Sequence, residues 1–356
     1  MDPRLKQFGR RALTGLLMVA LFVWLAQRND DDGRVITRDL LGLGTLITVS
    51  LWVPPEQTDA DAQAALDALA PWLQTFERRW SVLGDGALAT VNARLAEGVA
   101  AALPAELQPL IRRAADIGSR SDGRFDARIG ALVKLWQFQD QTDFRNAPPN
   151  ETALRPALAA LSAAPPLAAA DVWGPAPGVQ LDFGGIAKGA AAAEIAARLK
   201  AAGYPNLIVN IGGNVQAAGR KGSQPWRIGI RHPRPAADSQ QMLALLPTDG
   251  DEAIITSGDY ERYFIHAGTR YHHLLDPRSG QPARGLQSVT VVTDDPVLGD
   301  AASTALFVAG TDWPSVATAL ELDQVLVVRD DGRLQATARL AERLLLPDGL
   351  TLERLP

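Results

Sequence analysis

Apolar positions recur along this chain with two spacings, about two and about 3.6 residues, and the switches between them set the expected order of elements. Residues 40–53, LLGLGTLITVSLWV, carry β-branched side chains around a Gly-Thr step and predict a first strand, ended by Pro54 and Pro55. Over residues 59–79, Leu66, Leu69, Leu73 and Phe76 fall at helical spacing and predict an amphipathic helix packed on a core. Gly84 and Gly86 open a loop before Leu88, Val91 and Leu95, and a second helix is expected over 105–117. Residues 140–178 are rich in proline and alanine and hold a helical period only near 151–161. Residues 179–183 then read as a short strand, Gly184 and Gly185 as a turn, and 186–202 as an alanine-rich helix closed by Gly203.

From 207 to 293 the pattern is largely that of a sheet. Strands are expected at 207–211, 226–230, 242–246, 253–256 and 288–293, with a hairpin of 262–266 and 270–275 around Ala267, Gly268 and Thr269. A helix over 298–308 ends at Gly310, a short one covers 314–320, and a strand at 325–328 precedes the turn Asp330-Asp331-Gly332 and a polar tail. No repeat of fixed period interrupts this order.

Length and composition narrow the class. A chain of 356 residues, 47% apolar and 21% charged, buries a substantial core as one large or two fused domains. A net charge of −5, without a basic patch interleaved with aromatics, argues against nucleic acid as a partner. The absence of cysteine excludes disulfides, cysteine nucleophiles and thiolate metal sites. Arg4, Lys6, Arg10 and Arg11 precede an apolar run at 12–26, and Arg28 and Asp30 to Asp32 follow it, which predicts a membrane-targeting segment over 1–33 with its basic end in the cytoplasm. As a helix the run spans roughly 22 Å against a hydrocarbon thickness of about 30 Å, a gap that snorkelling arginines or the flanking turns would close. An uncleaved anchor, a cleaved signal and a soluble protein with an apolar first helix all fit; either of the first two puts the body, 34–356, outside the cytoplasm.

Candidate chemistry concentrates in residues 256–280, TSGDYERYFIHAGTRYHHLLDPRSG, which hold three of the four histidines. On a strand His272 and His273 point to opposite faces, so only one of them addresses a given pocket; Asp276 is near enough to orient it, and a satisfied structural histidine is the competing reading. The turn at Gly184 and Gly185 before a helix start offers free amides and the positive end of a dipole to an anion. Lys188, in that first helical turn, opposes the dipole and needs an anion or packing to justify it. Gly212, Gly213 and Asn214 mark a second place where backbone approaches a ligand closely. Asp300 and Thr304, four residues apart, share one helical face; they suit a hard cation such as magnesium, or else a cap and a packing contact. No HExxH spacing supports a histidine zinc site.

In combination these segments resemble the ApbE family of FAD:protein FMN transferases over roughly residues 40–330. The resemblance is carried by LGT at 43–45, SDGRFDARIGALVKLWQF at 121–138, LDFGGIAKGAAA at 181–192, LIVNIGGNVQAAG at 207–219, WRIGIRHP at 226–233, TSGDYERYF at 256–264, HHLLDPRSG at 272–280, and SVTVV followed by DAASTALFVAG. It implies an α+β protein with a mixed or antiparallel sheet core, flanking helices and a T-fold-like architecture. It further implies that FAD is bound with Mg2+ and that its FMN half passes to a Ser or Thr hydroxyl of an acceptor flavoprotein, releasing AMP. The implied metal ligands are Asp300, Thr304 and the carbonyl of Ala187. The implied FAD-binding residues are Thr45, Trp80, Asn92, Asp126, Asp182, Gly184, Gly185, Lys188, Gly212, Gly213, Ser257, Gly258 and Arg278.

His273 matches the histidine of the family's HxxDPxTG motif. As a residue that titrates near neutrality, it is expected, with Asp276, to take the proton from the incoming hydroxyl. The implied location is the bacterial inner membrane, with a single N-terminal anchor and the catalytic body in the periplasm. Two positions depart from the family. Ser279 replaces the usual Thr, and Leu83, Ala87 and Leu88 stand before Asn92 where many relatives carry a Tyr and a Ser-Glu pair. Trp80 is then either a replacement aromatic surface or core packing. Two other functions remain open at this level: a Mg-dependent FAD pyrophosphatase giving FMN and AMP, and a non-catalytic FAD-binding or carrier protein.

Overall fold

A nine-stranded sheet whose spatial order follows chain order organises the computed structural model, which describes residues 33–138, 145–234 and 242–355. Its strands are β1 (Arg34–Gly42), β2 (Thr45–Val53), β3 (Leu207–Ile211), β4 (Asn214–Ala218), β5 (Glu252–Gly258), β6 (Leu286–Thr293), β7 (Val325–Arg329), β8 (Leu334–Thr337) and β9 (Leu352–Leu355). Neighbours pair antiparallel except β8 with β9, which run parallel, so the expected mixed sheet with flanking helices is the observed architecture. Because side chains alternate across a strand, single strands feed two cores. Ile47, Val49, Val209, Val291 and Val327 pack beneath helices on one face. Ile208, Ile254, Val292 and Leu326 pack on the other, against Ile228 and Leu246 of the hairpin Arg227–Arg231 with Met242–Pro247, and against Leu340.

Four helices position the site: α1 (Leu69–Trp80), α2 (Ala87–Ala96), α3 (Ala187–Ala201) and α4 (Pro296–Ala309). Helix α4 starts where Asp295 accepts from the amides of Val297 (2.9 Å) and Leu298 (3.1 Å) with Pro296 in the first turn, a strong start signal. It lies unusually close to α3 at Gly189, where a Cβ would stand 2.1 Å from the carbonyl oxygen of Pro296 and 2.9 Å from Asp300 Cβ. Glycine there is a packing requirement. A third, aromatic cluster joins Trp136 and Phe138 to Phe264 and Tyr271 of the hairpin Tyr263–His266 with Thr269–His272.

Four expectations are corrected. Residues 40–53 are not one strand but the end of β1, a two-residue turn and the whole of β2, with Leu43 (φ 52°) and Gly44 (φ 69°) both left-handed, the geometry that suits such a turn between twisted strands. The helix expected over 59–79 is two, Asp59–Asp67 and α1, interrupted at Ala68. Residues 179–183 form no strand, because their backbone groups are taken elsewhere: the Asn92 side chain holds both groups of Leu181, and Ala127 accepts from Asp182. The tail is not simply polar, since Leu334, Leu340 and Leu344 fill the second core and carry β8, a short helix and β9 with them. The targeting segment lies outside the described residues; among those described, no helix is long and apolar enough to cross a membrane.

Candidate active site

Asp300 is the hub. Only 2% of it is exposed, and each carboxylate oxygen is occupied: Oδ2 accepts from the Gly189 amide at 2.9 Å, and Oδ1 from Asn214 Nδ2 at 2.7 Å and Lys188 Nζ at 3.3 Å. A carboxylate withdrawn this far from water persists only with such partners. Ile186, which precedes α3, supplies no side-chain cap. The carboxylate of Asp300 supplies that missing anion from α4, facing the free-amide end of α3.

One turn further along α4, the hydroxyls of Ser303 and Thr304 lie 2.8 and 3.4 Å from Ser257 Oγ at the end of β5. A Cβ on Gly185 would stand 3.7 Å from Thr304 Oγ1, so the turn at 184–187 and the face of α4 meet, as the family resemblance implied. Lys188 Nζ completes the group by bridging Asp300 Oδ1 and the Gly184 carbonyl, each at 3.3 Å.

His273 stands just past its hairpin strand, its amide bonded to the Arg262 carbonyl at 3.1 Å, and its Nδ1 is buried without a hydrogen-bond partner. Burial, then the charges of Arg262, His272 and Lys188, hold its imidazole well below the usual range, so it is neutral at pH 7. This corrects the expectation of titration near neutrality: the ring is desolvated among cations. Adjacent His272 turns the other way, its Nε2 against the Ala283 carbonyl at 2.9 Å and its ring edge on Phe307. Asp276 does not orient His273. Its Oδ1 accepts from the amide (2.9 Å) and Nε (3.2 Å) of Arg278 and closes its own turn, with Arg278 half exposed.

The other expected FAD-binding residues divide into those at the site and those beneath it. Asp182 accepts from the Gly184 amide at 2.8 Å and lies close enough to Arg262 for its charge to be felt there. Gly212 and Gly213 form the two-residue β3–β4 turn with φ of 57° and 98°, and Thr45 occupies the space a Gly212 side chain would need. Gly258 lies under the Tyr260 ring. Three residues turn inward and engage protein partners. Asn92 grips Leu181 with bonds of 2.9 and 2.8 Å, Asp126 is fully engaged by Arg128, and Trp80 packs on Phe183 at 4.9 Å. At the departing positions, Leu88 is core and Leu83 is 72% exposed. Sequence reasoning missed the side chain of Asn214, Gly189 and Arg262. An asparagine directly after a glycine pair was the available signal for the first, and the other two carried none.

No group of three or more His, Asp or Glu gathers among the described residues. The donor set suits a cation of another kind: one buried carboxylate with a hydroxyl and carbonyls nearby fits an ion that completes its shell from water and phosphate. The Lys188 ammonium already resting on those oxygens demonstrates that the position accepts positive charge.

A buried acid, two hydroxyls and a helix start gather at one end of the mixed sheet of an α+β fold. A family model, that of the ApbE family, matches residues 43–326. The Rhodobacter capsulatus FAD:protein FMN transferase is 37% identical over 314 residues, 86% of this chain and 58% of its own length. The Treponema pallidum FAD:protein FMN transferase is 34% identical over 343 residues, 90% of this chain and 92% of its own length. The apo flavinyl transferase ApbE of Pseudomonas stutzeri superposes with a TM-score of 0.73 at 28% identity, covering 88% of this chain and 98% of that one. The chain belongs to the ApbE family.

Proposed function

We propose that the protein is an FAD:protein FMN transferase that joins the FMN half of FAD to a Ser or Thr hydroxyl of an acceptor flavoprotein and releases AMP. The hydroxyl oxygen forms a bond to the FMN phosphorus, the anhydride bond to the AMP phosphate breaks, and the hydroxyl proton passes to a base. The observation that carries this reading is the convergence of Asp300, Thr304 and Lys188 on the turn at 184–187. Asp300, Thr304 and the Ala187 carbonyl would hold Mg2+, which when bound would neutralise charge on the pyrophosphate and the departing AMP.

The residues of the chain do the rest. The glycine turns at 184–185 and 212–213 let backbone approach the dinucleotide, and Asp182 faces it from the rim of the first turn. His273, neutral and with an unpartnered Nδ1, is able to accept the hydroxyl proton without first losing one of its own. The charge pattern around the run at 12–26 supports a body held at the inner membrane on its periplasmic side.

Comparing wild type with His273→Ala and Asp300→Asn separates these roles. His273→Ala is expected to bind FAD normally and lose roughly 100- to 10,000-fold in the rate of acceptor labelling. Asp300→Asn is expected to lose Mg2+-dependent FAD binding as well as transfer. Undiminished labelling by His273→Ala would remove that residue from the reaction.

A further inference from the structure

We infer that Lys188 is a resident counter-cation: its ammonium, resting on Asp300 Oδ1 and the Gly184 carbonyl, neutralises the carboxylate that a divalent ion would share with Thr304 and the Ala187 carbonyl, and the ion displaces it on binding. This rests on the metal-dependent reading of the site above and goes beyond it, because it assigns a state to the enzyme before metal arrives.

Three observations carry it. A lysine in the first turn of a helix works against the dipole, and nothing in the alanine-rich packing of α3 requires one there. Among the described residues its Nζ hydrogen-bonds to oxygens, the Gly184 carbonyl and Asp300 Oδ1, each at 3.3 Å, the kind of hard donor a divalent cation seeks. The other donors to Asp300, the Gly189 amide and Asn214 Nδ2, are neutral, so among the described residues the lysine is the positive charge set against a carboxylate whose side chain is 3% exposed. Without it the buried anion would be held by dipoles alone.

The geometry also provides for exchange. The Lys188 side chain is 27% exposed, so its flexible stem has a path toward solvent or toward a phosphate in the site, whereas Asn214 is buried and stays to orient the carboxylate. An ammonium and a divalent ion cannot share Oδ1 without strong repulsion, so occupancy by one excludes the other. The apo site is thereby kept assembled, with α3 and α4 together, at the expense of affinity for metal alone.

The test uses the full chain freed of FAD and Mn2+ as the probe. Lys188→Met is expected to bind Mn2+ roughly three- to tenfold more tightly than wild type, the scale of a half-buried ion pair, while Lys188→Arg, which keeps the charge, stays near wild type. In wild-type protein, acetylation of Lys188 by an amine reagent, read by peptide mass against exposed Lys134, is expected to rise several-fold when Mn2+ saturates the site. Unchanged or weaker Mn2+ binding by Lys188→Met, an equal gain in Lys188→Arg, or a Lys188 reactivity indifferent to Mn2+ would each overturn the inference. If Asp300→Asn abolishes Mn2+ binding in the same series, the metal site survives that failure. If wild type and Lys188→Met both bind no Mn2+, the inference and the metal-dependent reading fall together.

Discussion

His272 and His273 are adjacent in sequence and opposite in consequence. His272, the last residue of its strand, turns into the core against Phe307 and Ala283, and His273, just past the strand end, lies among cations. That split was legible from the HH pair; which residue would be the structural one came only from the family motif. Burial lowers the His272 imidazole from its ordinary 6.5 to about 4, against a weaker upward pull from Asp259. The sign follows directly. The unfolded chain takes up a proton near pH 6.5 and the folded chain does not until about pH 4. The stabilising effect of a neutral His272 is therefore complete above 6.5 and is lost as pH falls from 6.5 toward 4, by roughly 3 kcal/mol in all. Urea unfolding of wild type and His272→Gln between pH 7 and 4.5 checks this: the wild-type curve should fall more steeply, and parallel curves would contradict it. Asp126, Asn92 and Trp80 teach a related point. Polar or aromatic residues in a functional motif are as readily the supports of a loop as its ligand contacts, and only their partners distinguish the two.

At the scale of elements, the crossing of α3 and α4 decides whether a site exists at all. Apolar spacing revealed both helices to within two residues, and the four-residue spacing of Asp300 and Thr304 revealed their shared face. The sequence did not disclose that the two helices touch at Gly189, since a glycine inside an alanine-rich helix looks like any small residue. Gly189→Ala would drive a methyl into the Pro296 carbonyl, spreading the helices and pulling Asp300 from the Gly189 amide. The expected loss is about 3 kcal/mol of stability, read as a lowered denaturant midpoint, together with weaker Mn2+ binding. A fully stable variant would mean that the crossing is looser than described. The segment at 179–183 failed as a strand for a complementary reason. Short apolar runs read alike whether their backbone groups pair in a ladder or with side chains, and here Asn92, distant in sequence, claims them.

Over the whole molecule, a mixed sheet with flanking helices was legible from the sequence, but the order of its nine strands was not read from it and emerges only in the structure. Nor were the elements of the tail legible: its strands of four residues are too short to display a period, and their place is fixed by the second core. The proposed location rests on the charge pattern of the N-terminal segment. The full chain is expected in the inner-membrane fraction and accessible to protease from the periplasmic side, with a chain beginning at Gly33 remaining in the cytoplasm. Recovery of the full chain as a soluble cytoplasmic protein would contradict the anchor. The central claim, transfer of FMN to protein, is tested most directly by stoichiometry. With FAD, Mg2+ and an acceptor domain, AMP released and acceptor molecules gaining the mass of one FMN should match mole for mole. AMP accompanied by free FMN and an unmodified acceptor would contradict the account and describe a hydrolase instead.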